Sequence, residues 1–201
     1  LPSVLVLGGS HSSLNRGDPI AGGLKRLLVL SFLTEDGSLV KWSEAPALGT
    51  APESIWHHQC GAYGNGSRVV VFGGDFLDSD DEYGRIEDRS TPMLVYVLNV
   101  ETSEWRPVTC SCQAGNGSSV PEWRSLHASC VVSTTRASGK EREELLILGG
   151  SAEHVAAFSS GNPADFRPYA LDLETFAWRT RVGKPDEGEP DPSPRLRFAM
   201  E

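Results

Sequence analysis

The sequence predicts an all-β fold in which one small antiparallel sheet is repeated about three times. Three observations carry that expectation. Apolar runs end in paired glycines three times, before Gly8-Gly9, Gly73-Gly74 and Gly149-Gly150. Each pair is followed by a tryptophan, Trp42, Trp105 or Trp178, which stand 33, 31 and 28 positions after the second glycine. The 21 Gly and 13 Pro fall between short apolar runs, a spacing that suits strands and tight turns. Repetition at this scale organises the whole chain and precedes any residue-level reading.

The first unit, residues 1–50, lacks its opening strand. Residues 1–9 form its second strand and residues 10–23 a polar, Gly-containing loop. Residues 24–33 form a strand that is apolar on both faces at Leu27-Leu28-Val29-Leu30. Asp36-Gly37 marks a hairpin turn, because Gly accepts positive φ. Residues 38–42 complete the unit, and residues 43–54 read as a Pro/Ala linker.

The second unit spans residues 55–112. Its opening strand carries His57-His58, and Gly64-Asn65-Gly66 turns it into the next. Residues 75–92 form a long acidic insert, and residues 95–100 and 104–109 an outer hairpin that holds Tyr96 and Trp105. Residues 115–121 are a Gly/Ser-rich linker. The third unit, residues 122–183, opens on Arg124 and His127. Its first hairpin is extended by the charged residues 133–144, and residues 151–167 are the second long insert. Tyr169 precedes Trp178 by nine positions, as Tyr96 precedes Trp105. Residues 184–193 are an acidic, Pro-rich linker, and residues 194–201 begin a further unit, with Arg195 at the Arg124 position and Phe198 at the His127 position. A chain that starts at Leu1 without Met and stops inside an expected strand reads as part of a longer protein.

The ordered set of Arg-x-x-His, Gly-Gly, Tyr with Asp or Asn, and Trp resembles the kelch repeat over nearly the whole chain. The residues that carry the resemblance are Gly8, Gly9, Trp42, His58, Gly73, Gly74, Tyr96, Trp105, His127, Gly149, Gly150, Tyr169, Trp178 and Arg195. Departures are Phe32 and Leu33 where Tyr is expected, Ile55 in place of Arg, and Phe198 in place of His. Gly-Gly pairs 65 and 76 positions apart exceed the usual ~50-residue period, an excess that loop insertions absorb. The resemblance implies a partial kelch-type β-propeller: four-stranded antiparallel blades in an open arc. Physics agrees, because a lone four-stranded sheet cannot bury both faces whereas radially stacked sheets cover one another. Closed rings take about four to eight blades. About three leave two end faces apolar and exposed, so the chain by itself is expected to be sticky.

Composition narrows the function. A formal charge of −9 argues against nucleic acid, which needs a concentrated positive face, and against an anionic membrane surface. No apolar run approaches the ~18 residues of a membrane span, and the start has no signal-peptide pattern. There is no G-x-S-x-G, phosphate-binding Gly loop or H-E-x-x-H, so no catalytic residue and no cofactor is expected.

The resemblance implies a non-catalytic module that binds a protein partner through loops on one face, with further blades as intramolecular neighbours. The two inserts follow the same strand in successive units and should project from one side. The candidate contact residues are Asp75, Asp78, Asp80, Asp81, Glu82 and Arg85 in the first insert, and His154 and Phe158 in the second. The acidic run lacks the Gly-turned spacing of an EF-hand, so a solvated or partner-binding loop is expected before a calcium site. His58 and His127 share a repeat position, which accounts for them without metal chemistry. Cys60 and Cys130 are assigned one repeat position as small buried hydrophobes. Cys110-Ser111-Cys112 is not a Cys-x-x-Cys redox or zinc pattern, and a reducing, cytoplasmic setting follows. Two rival readings stay open. One is a propeller-type enzyme, resembling galactose oxidase or the iron-dependent specifier proteins. The other is a secreted recognition domain glycosylated at Asn65 or Asn116.

Overall fold

The computed structural model describes residues 3–7, 26–52, 55–56, 58–76, 94–112, 120–121, 124, 127–135, 138–150 and 168–180. Among these residues every regular element is a strand, and the class is all-β.

Sheet 1 contains β1 (Ser3–Val6), β2 (Arg26–Phe32) and β3 (Val40–Pro46), in that order and antiparallel. Sheet 2 is built from β4 (Leu48–Gly49), β6 (Gln59–Tyr63), β7 (Arg68–Phe72), β9 (Val95–Asn99) and β10 (Glu104–Val108), in the order β4-β10-β9-β7-β6. Sheet 3 repeats this with β11 (Ser111–Cys112), β12 (Ala128–Thr135), β13 (Glu141–Leu148), β14 (Tyr169–Asp172) and β15 (Ala177–Thr180), in the order β11-β15-β14-β13-β12. A two-stranded ladder joins β5 (Ile55–Trp56) to β8 (Asp75–Phe76). None of the sheets closes on itself.

Four antiparallel strands were expected per unit, and sheets 2 and 3 carry a fifth. β4 and β11 come from the segment just before each sheet and pair in parallel with its Trp strand. The cause is backbone satisfaction, since an uncapped outer strand leaves a row of polar groups unpaired. Leu48 and Thr50 donate their amides to the Ser103 and Trp105 carbonyls at 2.8 and 3.1 Å, and Ser111 donates to Phe176 at 3.0 Å. Part of the expected Pro/Ala linker is therefore strand.

The hairpins follow from local chemistry. Asn65 sits at φ 55° between two positive-φ glycines, the conformation an Asn-Gly turn supplies. Asn99 Oδ1 accepts from the Glu101 and Thr102 amides at 3.0 and 3.2 Å. Asp172 Oδ1 accepts from Glu174 and Thr175, both at 3.0 Å. These side chains hold the turns that set the register before each Trp. In sheet 1 the longer turn, closed by Leu33 N donating to Leu39 O at 2.8 Å, changes the count. Leu28, paired with Val6, occupies the place that Tyr96 takes opposite Val71. Phe32 and Leu33, expected there from their distance to Trp42, lie further along.

Two apolar layers hold the sheets together. Leu27 and its partly buried neighbours Leu5 and Ala45 pack against Val69, Val71, Leu98 and Trp105. Tyr63, Val70, Phe72, Val95 and Val97 pack against Leu145, Ile147, Tyr169, Leu171 and Trp178. Alternation along each strand places one set of side chains in each layer. Trp105 and Trp178 are 1% and 0% exposed, so both fill the gap between sheets.

Candidate functional site

A buried polar feature lies where β7 and β13 end in paired glycines. Both pairs adopt the same conformation, with φ of 67° and 97° at Gly73-Gly74 and 64° and 96° at Gly149-Gly150. Arg124 spans the two. Its backbone carbonyl accepts the Gly74 amide at 3.1 Å, and its Nη1 donates to the Gly149 carbonyl at 3.1 Å. The guanidinium is buried and lies 5.1 Å from the centre of the Tyr169 ring. Buried charge on this scale needs such partners, and a planar fork can serve a carbonyl and a π face together.

His127 completes the tie. Its ring meets Phe72 edge-on at 5.0 Å, and Phe72 in turn lies 5.1 Å from Trp178. Gly73 is required by this packing: a Cβ there would come within 2.6 Å of His127 Cε1 and 2.7 Å of the Arg124 carbonyl oxygen. Burial, with Arg124 and then His58 adding positive charge nearby, depresses the His127 pKa to about 3. The imidazole is therefore neutral at physiological pH. The His127 ring is buried and packed against Phe72.

The long inserts start from these bases. Of the expected contact residues, Asp78, Asp80, Asp81, Glu82, Arg85, His154 and Phe158 lie outside the described residues, as do Gly8, Gly9 and Arg195. Asp75 is the exception: its backbone pairs with Trp56, and Phe76 with Ile55, in the β5–β8 ladder, so the first two residues of the expected insert are strand. Among the described residues no three His, Cys, Asp or Glu side chains converge as a metal site would require.

Two polar features were not anticipated. Glu144, expected in a charged hairpin extension, is fully buried on β13. It accepts from Arg179 Nε at 2.8 Å and from Thr134 Oγ1 at 3.0 Å, and pairs with Arg142 at 3.1 Å. Arg142 also approaches Asp172 at 3.8 Å. Register places all five residues on the face of sheet 3 turned away from sheet 2. The second feature is a groove of about 390 Å³ at the opposite, turn end of sheets 2 and 3, lined by Tyr63, Asn65, Arg68, Lys140, Glu143 and Glu174 among others. Several of its charged side chains have partners within it. Glu143 Oε2 accepts the Gly64 amide at 2.8 Å, Lys140 binds Glu174 at 2.6 Å, and Arg68 stands over the Tyr63 ring at 5.9 Å.

The cysteines need a correction. Pairing places Cys60 opposite Val71 and Cys130 opposite Leu146, so Ser129, opposite Ile147, is the counterpart of Cys60. The two thiols point to opposite faces, and Cys60 is exposed. All four cysteines are free. Cys110 is half-buried, and desolvation raises its pKa to about 11, against a smaller opposing effect of Trp178.

Fold and site together define a class: an all-β protein of stacked sheets whose loop bases are fastened by a buried Arg-His pair. No protein-family model matches the chain, and no curated protein matches it.

Proposed function

We propose that the chain is a segment of a kelch-type β-propeller that binds a protein partner through the loops on its Gly-Gly side, without catalysis and without a cofactor. One observation carries this reading. The two long inserts follow Gly-Gly pairs of closely matching φ on adjacent sheets, and Arg124 couples those pairs directly. Loops mounted on a rigid scaffold are where recognition concentrates. Further support comes from repetition in three dimensions. Tyr96 and Tyr169, Trp105 and Trp178, Asn99 and Asp172, and β4 and β11 are matched by register. The acidic first insert favours a basic partner surface. Further blades would cover the two end faces, and the setting is cytoplasmic.

The test is an affinity capture with the chain as bait, comparing the wild type with a variant in which residues 77–92 and 152–166 are replaced by short Gly/Ser linkers. The bases and strands stay in place, so the circular-dichroism spectrum should be retained. The expected result is loss of the captured partners. A variant that keeps the full partner set would reject the assignment of binding to these loops.

A further inference from the structure

Two asparagines, Asn65 and Asn99, sit beside tight turns, and the fold treats them differently. Asn99 is followed by the β-branched Val100. Its carboxamide oxygen accepts the Glu101 and Thr102 amides at 3.0 and 3.2 Å. The Val100 amide donates to the Ser67 carbonyl at 2.9 Å. The Asn99 side chain and the backbone nitrogen that follows it are therefore both held.

Asn65 is the reverse case. It is exposed, and so is Gly66 after it. Among the described residues no hydrogen bond reaches the Asn65 carboxamide or the Gly66 amide. A Cβ at Gly66 would meet nothing within 4 Å, so its nitrogen is easily approached. The bonds of this hairpin lie at its ends. Ser67 donates its amide and its hydroxyl to the Gly64 carbonyl at 3.1 and 2.7 Å, and the Gly64 amide donates to Glu143 of sheet 3 at 2.8 Å. The two central residues stand at φ 55° and 80°. The first value is uncommon for a residue with a side chain, so leaving it costs little torsional energy.

We propose that Asn65-Gly66 is a site of spontaneous deamidation, where the folded chain converts its own carboxamide to a carboxylate. The Gly66 amide nitrogen attacks Asn65 Cγ. The N–Cγ bond forms, the Cγ–Nδ2 bond breaks, and Nδ2 leaves as ammonia with the proton that Gly66 gives up. Water then opens the cyclic imide at either carbonyl, giving aspartate, or isoaspartate with the main chain routed through the side chain. The net change is gain of water and loss of ammonia, with no oxidation or reduction. The new negative charge stands on the groove that Glu143 also lines, next to the Gly64 amide that Glu143 holds. Like charge there, and the lengthened main chain of isoaspartate, weaken this tie between sheets 2 and 3. The inference is independent of what the loops bind.

The experiment incubates the folded 201-residue chain in warm, mildly alkaline buffer. The chain is produced without glycosylation, because a sugar on Asn65 Nδ2 would occupy the leaving group. Peptide mapping by mass spectrometry follows the carboxamide-to-carboxylate gain at each asparagine and so separates Asn65 from Asn116. Labelling with isoaspartyl methyltransferase identifies isoaspartate. Asn65 should convert, with isoaspartate among the products, while Asn99 stays an amide. Gly66→Ala should slow conversion about tenfold, equivalent to about 1.4 kcal/mol on the barrier, by crowding the nitrogen. Gly66→Asp, which tolerates the same positive φ, takes its place if the strand spectrum is lost. The aged chain should also unfold at lower urea than an Asn65→Gly chain aged beside it. A synthetic peptide of residues 59–72 sets the rate of the unrestrained sequence. An Asn65 that stays an amide in the folded chain while the peptide converts would overturn the proposal, because the hairpin then protects it. Equal conversion at Asn65 and Asn99, or an unchanged rate in the Gly66 variant, would do the same. An equal urea midpoint for the two aged chains would overturn the link to the Glu143 tie.

Discussion

Acid should weaken this fold through a single imidazole. His127 is buried with an ordinary value of 6.5 depressed to about 3, chiefly by loss of water, then by Arg124 and His58. The folded-state pKa lies below the unfolded one, so the unfolded chain takes up the proton first as the pH falls. Stability from this group is intact above about pH 7 and is lost as pH drops from 6.5 toward 3. Each unit of separation is worth about 1.4 kcal/mol, giving a full effect on the order of 5 kcal/mol, of which about 2 kcal/mol has developed by about pH 5. With a urea dependence of ~2 kcal/mol per molar, the unfolding midpoint should fall by about 1 M between about pH 7.5 and 5. Followed by tryptophan fluorescence, His127→Phe should flatten most of this slope, because Phe keeps a ring against Phe72 and cannot titrate. A wild-type midpoint that moves by less than about 0.2 M would refute the argument, as would an undiminished shift in the variant.

Four further outcomes follow from contacts described above. Glu144→Ala should cost about 3 kcal/mol in urea unfolding, because Arg179 and Arg142 lose the carboxylate that neutralises them. Gly73→Ala should cost more than about 2 kcal/mol, since steric overlap with His127 and Arg124 adds to the positive-φ strain. Gly139→Ala, with open space around its Cβ, should cost only about 1 kcal/mol. Trp178→Ala should destabilise by about 3–5 kcal/mol, whereas Trp42→Ala should leave the unfolding midpoint of dilute chain nearly unchanged, because only the former is enclosed. Asn99→Ala should cost about 1 kcal/mol through loss of two turn hydrogen bonds, measured by the same unfolding curves.

The sequence made the strands legible because their signals are local and redundant. Val69–Phe72 and Leu145–Leu148 are short, apolar and stopped by glycines, and Trp105 and Trp178 have nowhere to go but between sheets. Other features depend on partners far away in the chain. β4 and β11 are two residues each and exist only because β10 and β15 need outer neighbours. Glu144 reads as part of a solvated charged run, and the residue that neutralises it, Arg179, lies 35 positions later. The mismatch of Cys60 with Cys130 is a one-residue slip, which in a strand exchanges the faces completely. The Arg124 bridge was visible as a motif, but its contacts with the Gly74 amide and the Gly149 carbonyl were not, because motif spacing says nothing about which backbone it meets. The loops carry no periodic signal, and acidic composition alone does not choose among solvation, a metal and a protein surface.

β4 and β11 also bear on how the molecule is made. Each leaves the ribosome well before the strand it will lie beside: Leu48 waits for Glu104, and Ser111 for Ala177. The rim of sheets 2 and 3 is thus finished last, beside a piece synthesised first. Nascent chains stalled just short of Trp105 should hold an open hem at Leu48–Gly49, where a protease can enter, and should lose that susceptibility once the following few residues have emerged.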